Sequence, residues 1–198
     1  MGTVIWLTGL SGAGKSTIAR AAEAELTHRG VAVEVLDGDV LREKISRGLG
    51  FSKEDRDESV RRASYVAGLL SRHGVVVIVA LISPYRDARK AAREEILRTG
   101  ARFVEVYVNA PLDVCAWRDP KGLYRKARGG AISSFTGVAD PYEAPLAPDV
   151  ECHTDREPVE TSASRVVAAA LKPTEKKQSV RYIGERRPEP EKRRMIAG

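Results

Sequence analysis

Nine consecutive residues, Gly9-Leu10-Ser11-Gly12-Ala13-Gly14-Lys15-Ser16-Thr17, carry the densest chemical signal in this chain. Their spacing, G-x-x-x-x-G-K-[ST], belongs to a loop whose glycines turn backbone N–H groups inward onto phosphate oxygens. A helix that starts where such a loop ends adds the positive end of its dipole to the same point. Lys15 is then placed to reach the β- and γ-phosphates, and the Ser16 hydroxyl to ligate Mg²⁺. Gly9, Gly12, Ala13, Gly14, Lys15, Ser16 and Thr17 are therefore the predicted contacts to ATP or GTP.

A second group, Asp37-Gly38-Asp39 with Arg42 close behind, has the chemistry of the acceptor side. Phosphoryl transfer needs groups that position the nucleophile and stabilise charge. A carboxylate near the phosphate loop can orient an acceptor hydroxyl, and another can hold Mg²⁺ through water. Asp39 is assigned to the hydroxyl and Asp37 to the metal, although the sequence leaves the reverse open; an Asp-Gly turn without chemistry is the plain alternative. Histidine offers nothing comparable. His28 and His73 each precede a glycine by one or two residues and read as helix C-terminal cations, and His153 stands alone. Cys115 and Cys152 lack metal-ligand spacing and read as two free thiols.

The elements that must hold these groups alternate along the chain. Thr3–Thr8, Val31–Leu36, Val75–Leu81 and Phe103–Val108 are apolar and rich in Val and Ile, as strands are. The third is apolar throughout, as expected of a central strand covered on both faces. Helices are predicted over Ser16–His28, about Lys53–His73, Ser83-Pro84 to about Arg98 (with Ser83 as N-cap), and about Glu160–Leu171. This order gives an α/β fold of three layers, the P-loop NTPase architecture, with a mostly parallel sheet and ligands at the strands' C-terminal ends. Residues 118–150, dense in Gly, Pro and cations, break every period and read as a mobile basic lid. The domain is expected to span 1–171, with a basic, disordered tail over 172–198.

Charge placement narrows the function classes. The formal net charge is +6, but nine of the 33 Lys/Arg and four of the 27 Asp/Glu lie in 172–198. That leaves 24 basic and 23 acidic residues in 1–171, an almost neutral body without the surface a nucleic acid needs. The longest apolar run, Val75 to Ile82, is far short of a membrane span. The N-terminus has no basic n-region, so a cytoplasmic protein is expected. Asn109 is the sole asparagine, so the Asn-Lys-x-Asp guanine-reading motif of GTPases is absent, and 198 residues suit a small kinase better than a motor.

Several further segments resemble the adenylylsulfate kinase family over about residues 3–155. They are Ile5–Thr17, Leu36–Asp39, Gly48-Leu49-Gly50-Phe51-Ser52, Asp55-Arg56, Arg61-Arg62, Ile82-Ser83-Pro84-Tyr85-Arg86, Arg118-Asp119-Pro120-Lys121-Gly122-Leu123-Tyr124, Phe135-Thr136-Gly137 and Asp140-Pro141-Tyr142-Glu143. The resemblance implies ATP-dependent phosphorylation of the 3′-hydroxyl of adenosine 5′-phosphosulfate, with Mg²⁺ as cofactor. It implies an adenine sandwich from Phe51 and Phe135 and an oxyanion clamp from Arg42 and Arg56. Ser59, Ile82, Ser83 and Leu123 would line the acceptor pocket, and Lys121 would neutralise charge as the lid closes. The family's active-site phosphoserine maps onto Ser83, which we read as a pocket residue rather than a covalent intermediate. Ser59 stands where the family usually has Asn, and the segment members carry before the first strand is nearly absent. A homodimer and a functional link to an ATP sulfurylase are also implied. A kinase for another nucleotide and a non-catalytic nucleotide-binding subunit are the alternatives.

Overall fold

The computed structural model describes residues 2–132 and 134–172. The predicted basic tail lies outside them from residue 173 onward. Among the described residues five strands form one sheet: β1 (Thr3–Thr8), β2 (Val33–Asp37), β3 (Val76–Ala80), β4 (Arg102–Asn109) and β5 (Val150–His153). Their order is β2-β3-β1-β4-β5 and every pairing is parallel. β1, between two neighbours, pairs Ile5 with Ile78 on one side and with Val104 on the other.

Side chains alternate across a strand, so the two faces of the sheet bury two separate cores. Ile5, Leu7, Ile78, Val104 and Val106 pack beneath α1 (Lys15–His28) and α7 (Val159–Leu171). Val4, Trp6, Val77, Val79 and Phe103 pack beneath α3 (Lys53–Ser71) and α4 (Arg86–Arg98). The three layers thus follow from the apolar strand runs. Gly30 and Gly74, just beyond α1 and α3, take positive φ as the C-terminal reading requires.

Four short elements depart from the sequence expectation. α2 (Gly38–Lys44) begins at the Asp37 cap, α5 (Leu112–Arg118) follows β4, and α6 (Leu123–Arg128) gives the basic segment a helix. β5 adds an edge strand. One predicted start is corrected: α4 opens at Arg86 with Tyr85 as its cap, and Ser83 is not the N-cap. Ser83 instead has φ of 38°, a left-handed conformation incompatible with the extended backbone of a cap.

Candidate active site

The loop between β1 and α1 is built by its glycines. A Cβ on Gly9 would sit 2.4 Å from the Val108 carbonyl oxygen, and one on Gly12 would sit 2.8 Å from that of Cys115. Both positions also have positive φ, so only glycine lets the loop close against β4 and α5. Within this loop Lys15 is buried and donates to the carbonyls of Gly9 (2.9 Å) and Leu10 (2.8 Å). Burial pulls its ammonium down from 10.5 to about 8, against weaker opposing effects from Cys115, Asp37 and Asp39.

β2 delivers the carboxylates. The Ser16 hydroxyl donates to Asp37 Oδ2 at 2.6 Å, and Asp37 Oδ1 caps α2 by accepting from the Asp39 N–H at 2.9 Å. Gly38 is the first residue of α2 and has no positive φ. Its need is space: a Cβ there would lie 3.1 Å from both the Ala80 carbonyl oxygen and a Leu81 methyl. Asp39 is exposed on α2 and forms an ion pair with Lys121.

From α2 onward the chain gathers the predicted acceptor residues. The Arg42 guanidinium lies 4.1 Å from the centre of the Phe51 ring and donates to the carbonyls of Leu49 and Gly50. Arg56 donates to the Phe51 carbonyl (2.9 Å) and to that of Ser134, and stands 3.6 Å from Asp140. Asp140 also accepts from Tyr85 Oη at 2.7 Å; burial, then this contact, pushes the Tyr85 phenol up to about 12. Phe51 is 39% exposed, whereas Phe135 is 3% exposed and meets Tyr124 edge-on at 4.9 Å. Ser59 shares a hydrogen bond with Ser46 at 3.2 Å. Ser83 is buried, and its Oγ accepts from Trp6 Nε1 at 3.0 Å.

One cavity of about 800 Å³ joins these groups. It runs from Gly12, Gly14, Lys15, Ser16 and Thr17 past Asp37 and Asp39 to the acceptor residues. Arg42, Phe51, Arg56, Ser59, Ile82, Ser83, Lys121, Leu123 and Phe135 all line it. Of the predicted residues only Gly9 and Ala13 stay off its wall. Ala13 is fully buried in the core, and both contribute backbone: Gly9 its carbonyl to Lys15, Ala13 its carbonyl to Thr154 Oγ1 (2.7 Å).

Arg118, Thr154 and Val159 are among the lining residues outside the predicted site. Arg118 donates to the carbonyl of Gly12 (3.3 Å) and to both oxygens of Thr154 (3.1 and 2.7 Å). Thr154 and Val159 come from the end of β5 and the start of α7. Arg118 was visible in the sequence as a lid cation and as part of the Arg118–Tyr124 segment, without an assigned role; Thr154 had no signal, because β5 was not recognised. Both thiols are buried and pushed up by burial, and neither lines the cavity. No described helix is long and apolar enough to cross a membrane.

Comparison with known proteins gives a consistent result. Residues 1–153 match the family described as adenylylsulphate kinase. An adenylyl-sulfate kinase of Microcystis aeruginosa is 58% identical over 165 residues, covering 83% of this chain and 89% of the relative. One of Myxococcus xanthus is 56% identical over 171 residues, covering 86% and 92%. Among solved structures, the Mycobacterium tuberculosis APS kinase CysC in complex with AMPPNP and APS superposes with a TM-score of 0.82. It is 45% identical, over 85% of this chain and 96% of that one.

Proposed function

The chain belongs to the adenylylsulphate kinase family, and we propose that it transfers the γ-phosphoryl group of ATP to the 3′-hydroxyl of adenosine 5′-phosphosulfate. The observation that carries this reading is the continuity of the cavity: a phosphate-binding loop at one end and an arginine–aromatic pocket at the other, with Asp37 and Asp39 between.

At the ATP end, Lys15 leaves its two carbonyl partners for the β- and γ-phosphates, so an anion replaces weaker acceptors around a buried cation. The hydroxyl of Ser16 and the carboxylate of Asp37, 2.6 Å apart, are hard oxygen donors of the kind Mg²⁺ takes. These two residues would hold the ion, Ser16 directly and Asp37 through water, and the ion would neutralise charge on the phosphates. At the other end, Phe51 and Phe135 hold the adenine between them, and Arg42 and Arg56 take the phosphosulfate oxygens with planar forks. Ile82, Ser83 and Leu123 supply the wall.

Asp39 orients the acceptor hydroxyl and receives its proton as the new P–O bond forms, while ADP leaves with the electrons of the broken bond. For this Asp39 must release Lys121, which then turns to the phosphates as the lid over 118–150 closes. Direct in-line transfer asks no covalent part of Ser83, which lines the pocket and whose hydroxyl accepts from Trp6. A homodimer, a functional link to an ATP sulfurylase and action in the cytoplasm belong to the same proposal and rest on family membership.

The test is ADP release by the purified protein with Mg·ATP, comparing adenosine 5′-phosphosulfate with AMP, ADP and CDP. Turnover should require the sulfated nucleotide. Equal turnover with an unsulfated acceptor, or none with any, would overturn the substrate assignment.

A further inference from the structure

Arg89 is a charged side chain that the proposed chemistry does not use, yet it is 3% exposed. It stands on the first turn of α4, and its guanidinium meets three separate segments. Nε donates to Glu105 Oε1 on β4 (2.9 Å), Nη1 to the Ser83 carbonyl (2.7 Å), and Nη2 to the Glu143 carbonyl in the C-terminal part of the basic segment (2.7 Å). A buried cation with three charge-assisted bonds is costly to build and is retained where it fixes geometry.

What it fixes is the Ser83 turn. A serine at φ of 38° is a strained conformation that persists only where its surroundings over-determine it. Besides Arg89, Thr8 Oγ1 donates to the carbonyls of Ile82 (2.7 Å) and Ser83 (3.3 Å), and Trp6 Nε1 holds the Ser83 hydroxyl. The same turn anchors the chain returning from the basic segment. Glu143 N–H donates to the Pro84 carbonyl (2.9 Å), and Glu143 Oε2 accepts from the Arg86 N–H (2.8 Å). One guanidinium therefore ties the acceptor-side wall, Ile82-Ser83, to the C-terminal part of the proposed lid at Glu143.

We infer that Arg89 is a positioning residue for the acceptor: acting through the Ser83 and Glu143 carbonyls, it fixes the pocket wall and the lid's anchor together. This rests on the proposed acceptor assignment of that end of the cavity. Among the described residues no hydrogen bond joins Gly9–Thr17 to Ser83, Glu105 or Glu143, so ATP binding should be spared.

The chain has two tryptophans, Trp6 in the core and Trp117, which is 85% exposed on α5. In a Trp117→Phe background, Trp6 emission alone reports on the Ser83 hydroxyl it bonds. Arg89→Lys in that background keeps the charge but replaces a three-way planar fork with a single nitrogen. The acceptor KM should rise about tenfold with the ATP KM within about twofold, and Trp6 emission should change. An unchanged acceptor KM, equal rises in both constants, or unaltered Trp6 emission would overturn the inference. If the Trp117→Phe parent itself fails to use adenosine 5′-phosphosulfate, the proposed function falls, while the emission comparison still decides whether Arg89 holds the turn. Should the lysine variant not fold, Glu105→Gln loosens the same fork from β4: the acceptor KM should rise about threefold and the ATP KM stay constant. Parallel rises, or none, again overturn the inference.

Discussion

Replacing Lys15 with Met should abolish turnover and yet make the unliganded protein more stable. The side chains are of similar length, so packing beside the loop is largely kept, while a buried ammonium is removed. Its pKa of about 8, against 10.5 when exposed, measures how strongly burial disfavours the charge. At about 1.4 kcal/mol for each tenfold in proton affinity, the charge costs the folded state about 3 kcal/mol at neutral pH. Against this, the Gly9 and Leu10 carbonyls lose their donor, which offsets about 1–2 kcal/mol. The net gain of about 1–2 kcal/mol should raise Tm by roughly 2–6 °C for a chain of this size.

Lys15 also fixes the pH dependence of that gap. Between about 8 and 10.5 the folded wild type has released the Lys15 proton while the unfolded chain still binds it, so wild-type stability rises with pH across that window. The variant lacks this gain, and its advantage should be full below about pH 8 and gone by about pH 10. Thermal unfolding followed by circular dichroism at pH 7 and pH 10 measures it. Saturating Mg·ATP should reverse the order by stabilising the wild type alone. A methionine variant less stable than wild type at pH 7, or a gap indifferent to pH, would refute the reasoning.

Asp39→Asn keeps the side chain's shape but removes the proton acceptor, and kcat should fall by about 10²–10⁴ while the acceptor KM changes little. More than about a tenth of wild-type turnover would move the role away from Asp39. Phe135→Ala should raise the acceptor KM about tenfold or more and leave the ATP KM unchanged, measured by ADP release, since one stacking face is lost. Because Phe135 is buried against Tyr124, unfolding stability should also drop by about 3 kcal/mol; an unaltered acceptor KM would remove Phe135 from the pocket.

The long elements were legible because burial writes itself into them. Thr3–Thr8 was bounded correctly, and β3 was recognisable as a strand covered on both faces from its unbroken apolar run. The short ones were not. α2, α5 and α6 have seven, seven and six residues, too few for a helical period to repeat, and β5 has four. The Ser83 error has a different origin. Ser-Pro followed by an amphipathic stretch is a sound helix-start pattern, but Ser83's strained backbone is held by Trp6, Thr8 and Arg89, residues remote in sequence or on the far side of the helix start. The cavity residues were legible where side-chain type and spacing declare chemistry. Arg118 and Thr154 were not assigned because they act on backbone carbonyls more than a hundred residues away, and a carbonyl has no letter.

Those backbone contacts decide how the phosphate loop works. Tyr124 Oη donates to the Ser11 carbonyl at 2.9 Å, Arg118 to that of Gly12, and Thr154 to that of Ala13. In a trans peptide the C=O and N–H point in opposite directions. Holding the Ser11 and Ala13 oxygens therefore also fixes the opposite direction of the Gly12 and Gly14 N–H groups, and both glycines line the cavity. The Ala13 N–H is spent closing the loop on the Leu10 carbonyl at 3.2 Å, so the intervening peptide serves the loop's own shape. Glycine permits such a backbone but does not choose it among the conformations open to it. The choice is made by three side chains from the start of the basic segment, α6 and the end of β5. A phosphate loop grafted without them would keep its motif and lose the fixed direction of its donors.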